Sequence, residues 1–433
     1  MKWYKKLHWQ IIIGLVLGLG WGLVSSLAGW GDFTTDFIKP FGTIFITLLK
    51  LIAVPLVLAS LVVGVTSLND TAQLSRMGGK TIMIYIVTTV FAITIGLTAV
   101  NLIKPGKALP EETKMELQAA YGGSVEERSE TAKLVQDRGP LDFFVDIVPD
   151  NFFSAASDNS RMLQVVFVAI LLGIGIIQIG GEKGKLLINV FDAFNDVIIR
   201  IVELIMLTAP YGVFALMASL IIDLAGDDLG KAVELLQALG WYCITVIVAL
   251  TLHVFIVYAS LFKITSNMKL STFFKAIRPA MLLGFSTSSS SATLPVTLER
   301  VEKNLGVEDE VASFVLPIGA TINMDGTSLY QAVAAVFIAQ ALGMDLTIAQ
   351  QLTIVLTATL ASIGAAGVPG AGIVMLVIVL EAIQVPTAGI ALILGVDRIL
   401  DMMRTTVNIT GDAAVSVAVA SSENKLGEPN LDD

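Results

Sequence analysis

The segment that fixes the architecture of this chain reads Asp397-Arg398-Ile399-Leu400-Asp401-Met402-Met403-Arg404-Thr405-Thr406-Val407-Asn408-Ile409-Thr410-Gly411-Asp412. It lies inside a longer apolar run, which extends from Thr387 to about Ala420. At about 3.6 residues per turn, one face of the corresponding α-helix carries Asp401, Thr405, Asn408 and Asp412. Ionisable groups at membrane depth usually face the interior of a helix bundle or a water-filled cavity, so this face predicts a functional site. A buried ion-pair ladder that only joins helices is the alternative interpretation.

The composition is that of a membrane protein. Of 433 residues, 55% are hydrophobic and 15% are charged, and the mean hydropathy is +0.79. Apolar runs of about 20 residues, each long enough to cross a lipid bilayer as a helix, recur along the chain. The predicted fold class is therefore an all-α polytopic membrane protein, whose backbone polar groups are hydrogen-bonded within each helix. The net charge of −10 is carried by loops and tails, which argues against a nucleic-acid partner.

The distribution of charge predicts the orientation in the membrane. Lysines among the first six residues precede the first apolar run, so an uncleaved first helix with a cytoplasmic N-terminus is expected. The longest polar stretch, 104–160, then falls outside the cytoplasm by parity. Its centre, from Glu111 to Arg138, is expected to be a mobile loop. The polar tail, 421–433, is expected to be cytoplasmic and disordered.

The second half of the chain contains apolar segments that are too short or too interrupted to cross a membrane alone. A serine-rich run, Ser286–Ser291, and a glycine-rich run, Gly364–Gly372, each lie between short apolar arms and predict the tips of two re-entrant hairpins. Asn323–Thr327 interrupts the apolar span Val311–Leu342 and predicts a broken helix, with a self-capped kink as the alternative. This repeated order of hairpin and span suggests the inverted repeats of secondary transporters, in which broken helices bind substrate and ions.

The polar side chains of these segments predict an acidic amino acid as the ligand. Arg404 offers a planar fork for a carboxylate, and Asp401 can bind an ammonium group. Backbone N–H groups at the serine-rich tip can bind a second carboxylate, as helix N-termini do. A fixed cation, a fixed anion and a set of N–H donors together match such a ligand.

Hard oxygen ligands accompany this site and favour a small alkali or alkaline-earth cation over a transition metal. They belong to Asn323, Asp325, Asn408 and Asp412. Asp325 points about 160° away from the Asn323 face at about 100° per residue, so a separate cation site is expected for it. Its expected partners are Tyr85, Thr88 and Thr89. His253, one of two histidines, lies in an apolar helix and is interpreted as a packing residue.

At these residues the chain resembles the dicarboxylate/amino acid:cation symporter family, which includes the excitatory amino acid transporters and archaeal aspartate transporters. The similarity covers nearly the whole chain and rests on motifs in its second half. They are Ser-Ser-Ser-Ser-Ala-Thr-Leu-Pro from Ser288, Asn-Met-Asp-Gly-Thr from Asn323, Gly-Val-Pro-Gly-Ala-Gly from Gly367, and the pattern that begins at Asp401. The resemblance implies eight transmembrane helices, two re-entrant hairpins, inverted repeats, a homotrimer and an elevator-type movement of a transport domain against a scaffold.

The resemblance also implies binding residues at the matching motif positions. The substrate would meet Ser289, Ser290, Ser291, Thr327, Val368, Gly372, Asp401, Arg404, Thr405 and Asn408. One sodium ion would be bound by Gly319, Asn323, Asn408 and Asp412. A second would be bound by Thr321, Ser362, Ile363 and Ala365, and a third by Tyr85, Thr88, Thr89, Asn323 and Asp325. The implied metal ions are thus co-transported sodium.

The family pattern divides the chain into a scaffold and a transport domain. Scaffold helices 1 and 2 would occupy 1–80, transport-domain helix 3 would occupy 81–103, and an extracellular loop would occupy 104–160. Helices 4 to 6 would occupy 161–262, of which helices 4 and 5 belong to the scaffold and helix 6 to the transport domain. The transport core would occupy 279–420 and a cytoplasmic tail 421–433, in a protein of the plasma (inner) membrane with both termini cytoplasmic.

The function implied is sodium-coupled symport of aspartate or glutamate, without enzymatic activity. A proton-coupled glutamate or C4-dicarboxylate symporter is the alternative. Gln331 stands where animal relatives carry an acidic proton carrier, which disfavours proton coupling. Ser288 and Met402 stand where archaeal and animal relatives, respectively, carry an arginine, and Arg398, one turn before Asp401, is the expected substitute.

Overall fold

The computed structural model describes residues 7–66, 72–121, 148–157, 161–225, 229–363 and 370–430. These residues form helices joined by turns, and the β pairing among them is limited to an isolated bridge between Val307 and Leu426. The predicted all-α fold is therefore confirmed for the described part of the chain.

The helices of the first half of the chain pack mostly against one another, both between neighbours in the sequence and between helices far apart in it. They are α1 (Leu7–Leu27), α2 (Lys39–Thr66), α3 (Ala72–Ile103), α4 (Glu111–Tyr121), α5 (Phe152–Ala156), α6 (Met162–Ile179), α7 (Gly181–Met206) and α8 (Ala209–Ala225). Helix α1 packs against α8, and α2 packs against α6, α7 and α8. Helix α3 instead packs against the second half of the chain.

The second half contains shorter helices that surround the C-terminal helix. They are α9 (Leu229–His253), α10 (Ala259–Thr265), α11 (Leu270–Thr287), α12 (Ser290–Glu299), α13 (Asp309–Ile322), α14 (Asp325–Ala341), α15 (Ile348–Ile363), α16 (Ala371–Ala382) and α17 (Ala391–Ser422). A single π-helical turn, Val254–Tyr258, joins α9 to α10. Helix α17 packs against α11, α13 and α14, so the polar stripe of α17 lies inside the bundle.

Few helices of the described residues are long and apolar enough to cross a membrane without interruption. By length and composition these are Trp9–Leu27, Met77–Ala108 and Val233–Thr265. The pair Gly181–Met206 and Ala209–Ile222 would add a fourth span if it is counted as one helix that bends by 51° at the break. From Leu270 onward, charged residues or breaks interrupt the apolar segments, as in α17 and between α13 and α14.

Both breaks predicted from the sequence are present in the described residues. Helix α13 ends at Ile322 and α14 begins at Asp325, so Asn323 and Met324 are not helical. Helix α11 ends at Thr287, where Ser288 adopts a left-handed conformation with φ of +54°, and α12 begins at Ser290. The glycine-rich tip from 364 to 369 lies outside the described residues, between α15 and α16.

Two expectations for the polar segments are wrong. Residues Glu111–Tyr121, expected to belong to a mobile loop, form helix α4, and the rest of that stretch to 147 lies outside the described residues. The tail, expected to be disordered, is ordered as far as Asn430 because it bonds to the turn between α12 and α13. Glu308 N–H donates to Lys425 O (3.1 Å), and Gly427 N–H donates to Gly306 O (2.7 Å).

Candidate functional site

The centre of the candidate site is a buried cluster of one arginine and two carboxylates on α17. Arg404 Nε donates to Asp401 Oδ1 (3.0 Å), and Arg404 Nη1 donates to Asp397 Oδ1 (3.0 Å). The guanidinium carbon lies 4.2 Å from the ring centroid of Tyr330, on α14, within the range of a cation–π contact. All three charged side chains are buried, because their spacing of three and seven residues puts them on one side of the helix.

Asp401 has a second set of partners at its other oxygen. Its Oδ2 accepts from Arg398 Nη1 (3.3 Å) and from Gly370 N–H (3.2 Å). Arg398 therefore reaches the carboxylate of Asp401, one turn further along α17. Gly370 has φ of +82° at the start of α16, a conformation that glycine adopts without steric cost.

The start of α16 covers the guanidinium. A Cβ atom at Gly372 would lie 2.8 Å from Arg404 Cζ, closer than real Cβ contacts, so only a glycine fits there without displacing the arginine. Gln331 Nε2, on α14, donates to Gly372 O (3.2 Å) and fixes the same turn. Gly372, one of the predicted substrate residues, thus lies against Arg404, whereas Val368 lies outside the described residues.

The serine-rich tip follows α11, which packs against α17. Ser289 caps α12, since its hydroxyl accepts from Ala292 N–H (3.1 Å). Ser289 and Ser290 are buried, whereas Ser291 is exposed. One turn before the tip, Gly284 packs so closely on Ile409 that a side chain there would displace it, and Thr405 lies beside it.

The broken helix contributes Thr327 and binds Asn408. Asn408 Oδ1 accepts from Gly326 N–H (2.8 Å), at the first turn of α14, and Asn408 Nδ2 lies 3.4 Å from Thr327 Oγ1. The break leaves N–H groups of α14 without helical acceptors, and the amide of Asn408 satisfies one of them. Predicted substrate residues from α14, α16 and α17 therefore lie around a common centre.

The first predicted cation set is brought together at the break. Asn323 Nδ2 donates to Asp412 Oδ1 (2.8 Å) and to Asn408 O (3.0 Å). Gly319 lies against the Asp412 carboxylate, where a side chain would collide with it. Within the part of the chain that the structure describes, Asn323 Oδ1 is buried and has no hydrogen-bond partner. An unpartnered buried oxygen beside a carboxylate fits a cation ligand.

The second predicted set is only partly covered by the described residues. Thr321 Oγ1 donates to Ile318 O (3.0 Å), and Ser362 Oγ donates to Thr359 O (2.7 Å), so both hydroxyls bond to their own helices. Helices α13 and α15, which carry these residues and Ile363, are in contact. Ala365 lies outside the described residues.

The third predicted set forms around Asp325. Thr89 Oγ1 donates its one hydrogen to Asp325 Oδ1 (2.6 Å) and lies 2.8 Å from Tyr85 O, to which Thr88 Oγ1 donates (3.1 Å). Tyr85 OH donates to Val315 O (3.3 Å), near Gly319. Helix α3 therefore meets the first turn of α14 at Asp325.

Two residues at Asp325 were missed from the sequence. Its Oδ2 lies 3.2 Å from His253 Nε2 and accepts from Tyr258 OH (2.8 Å). His253 was interpreted as packing, and Tyr258 was not singled out. The available signal was the histidine itself, since a lone imidazole in an apolar helix needs a partner.

The oxygen ligands in these sets differ from those of a transition-metal centre. Among the described residues, no group of three or more His, Cys, Asp or Glu side chains is placed to hold a metal ion. The donors that gather are amides, hydroxyls, backbone carbonyls and single carboxylates, which suit hard cations.

Comparison with known proteins gives matches over the whole chain. The profile of the sodium:dicarboxylate symporter family matches residues 7–422. A proton/sodium-glutamate symport protein of Geobacillus stearothermophilus is 35% identical over 98% of this chain and 96% of its own length. Excitatory amino acid transporter 3 of Mus musculus is 36% identical over 95% and 84%, respectively. A C4-dicarboxylate transport protein of Bacillus subtilis is 34% identical over 99% and 96%.

Proposed function

This chain belongs to the sodium:dicarboxylate symporter family, and on that premise we propose that it is a secondary active transporter that couples sodium entry to the uptake of aspartate or glutamate. The observation that carries the proposal is the buried cluster of Arg404 with Asp397 and Asp401, against which Tyr330 of α14 and Gly372 of α16 pack. A guanidinium held between two carboxylates can exchange one of them for the carboxylate of a ligand.

The substrate occupies the space between α16, α14 and the serine-rich tip. Its side-chain carboxylate binds Arg404 in place of Asp397, and its ammonium group binds Asp401, next to Arg404. N–H groups at the start of α12 bind the α-carboxylate, because those donors have no helical acceptor. The full set consists of Ser289, Ser290, Ser291, Thr327, Val368, Gly372, Asp401, Arg404, Thr405 and Asn408.

Sodium is the coupling ion in this proposal. The first ion is bound by Gly319, Asn323, Asn408 and Asp412, and the unpartnered Oδ1 of Asn323 supports this assignment. The second is bound by Thr321, Ser362, Ile363 and Ala365, and the third by Tyr85, Thr88, Thr89, Asn323 and Asp325. Binding one of these ions orders oxygen atoms that also hold the substrate, such as those of Asn408, which couples the two fluxes.

Proton coupling is the second candidate, since the relatives include proteins named proton/sodium-glutamate symport protein and C4-dicarboxylate transport protein. Gln331 argues against it, because a neutral amide stands at the buried position nearest Gly372 and cannot carry a proton. We therefore place sodium first.

The architecture proposed for this function has eight transmembrane helices and two re-entrant hairpins, with both termini in the cytoplasm. The segments 1–80 and most of 161–262 form a scaffold, and 81–103, helix 6 and 279–420 form a transport domain that moves as an elevator. Three scaffolds associate as a homotrimer. Exposed apolar side chains on α7, including Val190, Phe194 and Val197, support a subunit or lipid contact there.

Uptake of radiolabelled aspartate and glutamate into proteoliposomes tests the function, with sodium and pH gradients imposed separately. A sodium gradient at equal pH is expected to drive accumulation, and a pH gradient without sodium is not. Accumulation driven by the pH gradient in sodium-free buffer would overturn sodium coupling.

A further inference from the structure

A buried hydrogen-bonded triad lies behind the third cation set. Asp325 has no exposed surface, and its two carboxylate oxygens face different helices. Oδ1 accepts from Thr89 on α3, whereas Oδ2 faces His253 and Tyr258 on the π-broken helix. An ionised carboxylate only accepts hydrogen bonds, so Nε2 of His253 carries the hydrogen in this contact.

The π-helical turn makes this arrangement possible. His253 and Tyr258 are five residues apart, and in a regular α-helix they would point about 140° apart at about 100° per residue. In the turn Val254–Tyr258 the N–H of Ala259 bonds to Val254 O, five residues back, which widens the turn by one residue. The two rings then face the same side and pack edge to face, with centroids 4.5 Å apart.

A packing role does not account for the histidine. His253 is fully buried, and its Nδ1 has no hydrogen-bond partner among the described residues. A buried nitrogen without a partner is unfavourable, and an aliphatic side chain would fill the position without it. What the histidine provides, and an aliphatic residue would not, is a donor to Asp325.

We infer that His253 and Tyr258 are positioning residues for sodium, which fix Oδ2 of Asp325 so that Oδ1 and the hydroxyls of α3 face the ion. This inference rests on the proposed function and adds two residues that act through Asp325 rather than on the ion. Outer partners of metal ligands typically change metal affinity by about 10- to 100-fold when removed.

Three substitutions test the hydrogen-bond donors to Asp325 separately from the packing of the two rings. Tyr258→Phe keeps the aromatic contact with His253 and removes the hydroxyl. His253→Leu removes the donor, and His253→Gln restores one. Thr245→Val is the matched control, because Thr245 is a buried residue of α9 whose hydroxyl bonds only to its own helix, at Trp241 O.

The measurement is the sodium concentration for half-maximal aspartate uptake, together with sodium-dependent thermal stabilisation of the purified protein. Tyr258→Phe and His253→Leu are expected to raise that concentration by about tenfold or more in both assays. Their KM for aspartate at saturating sodium should stay within about twofold of wild type, His253→Gln should recover much of the shift, and Thr245→Val should match wild type.

Wild-type sodium dependence in both Tyr258→Phe and His253→Leu would overturn the inference while leaving the proposed function intact. A fall in yield or maximal rate without a shift in sodium dependence would likewise assign the triad a structural role. Failure of the wild-type protein to respond to sodium in either assay would overturn the proposed function, and the inference with it.

Discussion

Helices α7 and α14 are both long, but their side chains lie in opposite environments. Helix α7 exposes a row of apolar residues along one face: Leu186, Val190, Phe194, Val197, Ile201 and Leu204. All residues of α14 are buried, among them the polar Asp325, Thr327 and Gln331. Apolar side chains can face the lipid at no cost in free energy, whereas polar groups in lipid are strongly unfavourable. Polar residues of such a protein are therefore found where other parts of the protein cover them.

The two regions also use arginine differently. Arg200 of α7 pairs with Glu203 (2.6 Å), and its side chain is 71% exposed. Arg404 of α17 is 1% exposed and lies between two carboxylates. An exposed pair contributes little, whereas a buried charge depends on every partner it has. Substitution of Arg404 should therefore change the substrate selectivity, whereas substitution of Arg200 should not.

The largest effect is expected for Arg404→Cys. A guanidinium gains about 1.5–3 kcal/mol for each charge-assisted bond to a carboxylate, so its loss should weaken aspartate on the order of a hundredfold or more. Asp401 keeps Arg398 and the N–H of Gly370 as partners, so the ammonium site survives. The variant should gain sodium-driven uptake of a small neutral amino acid such as serine or alanine.

Competition of unlabelled amino acids against uptake in proteoliposomes measures this change, with Arg200→Cys as the control that should behave as wild type. Aspartate uptake by Arg404→Cys at near wild-type affinity would make the arginine a structural ion-pair member. The assignment of the substrate site to α17 would then be wrong.

The next largest effect is expected for Asp412→Asn. The substitution keeps the side-chain volume and removes the carboxylate charge beside Asn323. The sodium concentration for half-maximal uptake should therefore rise by about tenfold or more, which corresponds to a loss of about 1.4 kcal/mol or more in sodium binding free energy. Asp196→Asn, on the exposed surface of α7, is the control and should leave the sodium dependence unchanged. Equal sodium curves for both variants would remove Asp412 from the cation site.

A smaller effect is expected for Gly372→Ala. The new methyl group would lie 2.8 Å from Arg404 Cζ and must displace the guanidinium, at a cost of about 1–3 kcal/mol. The KM for aspartate should rise by about tenfold. Gly240→Ala is the matched control, because a Cβ there meets nothing within 4 Å and the helix gains stability. Similar KM values for the two variants would show that α16 does not cover the substrate site.

The smallest effect is expected for removal of residues 425–433. The truncation loses the backbone bonds between the tail and the turn 304–308, together with the Lys425–Glu310 pair. Because net contributions of about 0.5–1.5 kcal/mol per hydrogen bond are small for a chain of this size, the apparent Tm should fall on the order of 2 °C. Removal of 431–433 alone is the control. A parallel loss of uptake would show that the tail takes part in transport.

The sequence alone determined those features that depend on the type and spacing of neighbouring residues. Apolar length and low charge give the helical membrane class, because each segment must satisfy its own backbone. Periodicity placed Asp401 and Asn408 on one face of α17, and the breaks at Asn323 and Ser288 follow from residue type. The resemblance of the motifs to the symporter family is confirmed by the family match.

Only the tertiary structure decided which distant segments meet. Tyr258 bonds to Asp325 across 67 residues of sequence, and Gly427 bonds to Gly306 although helices α13 to α17 lie between them along the chain. Helical periodicity assumes one register, so it could not bring His253 and Tyr258 to one side, which requires the extra residue of a π-helical turn. The order of the tail could not be predicted for a related reason. Polar composition predicts disorder, but backbone N–H and C=O groups of any residue can form hydrogen bonds once another segment of the chain lies beside them.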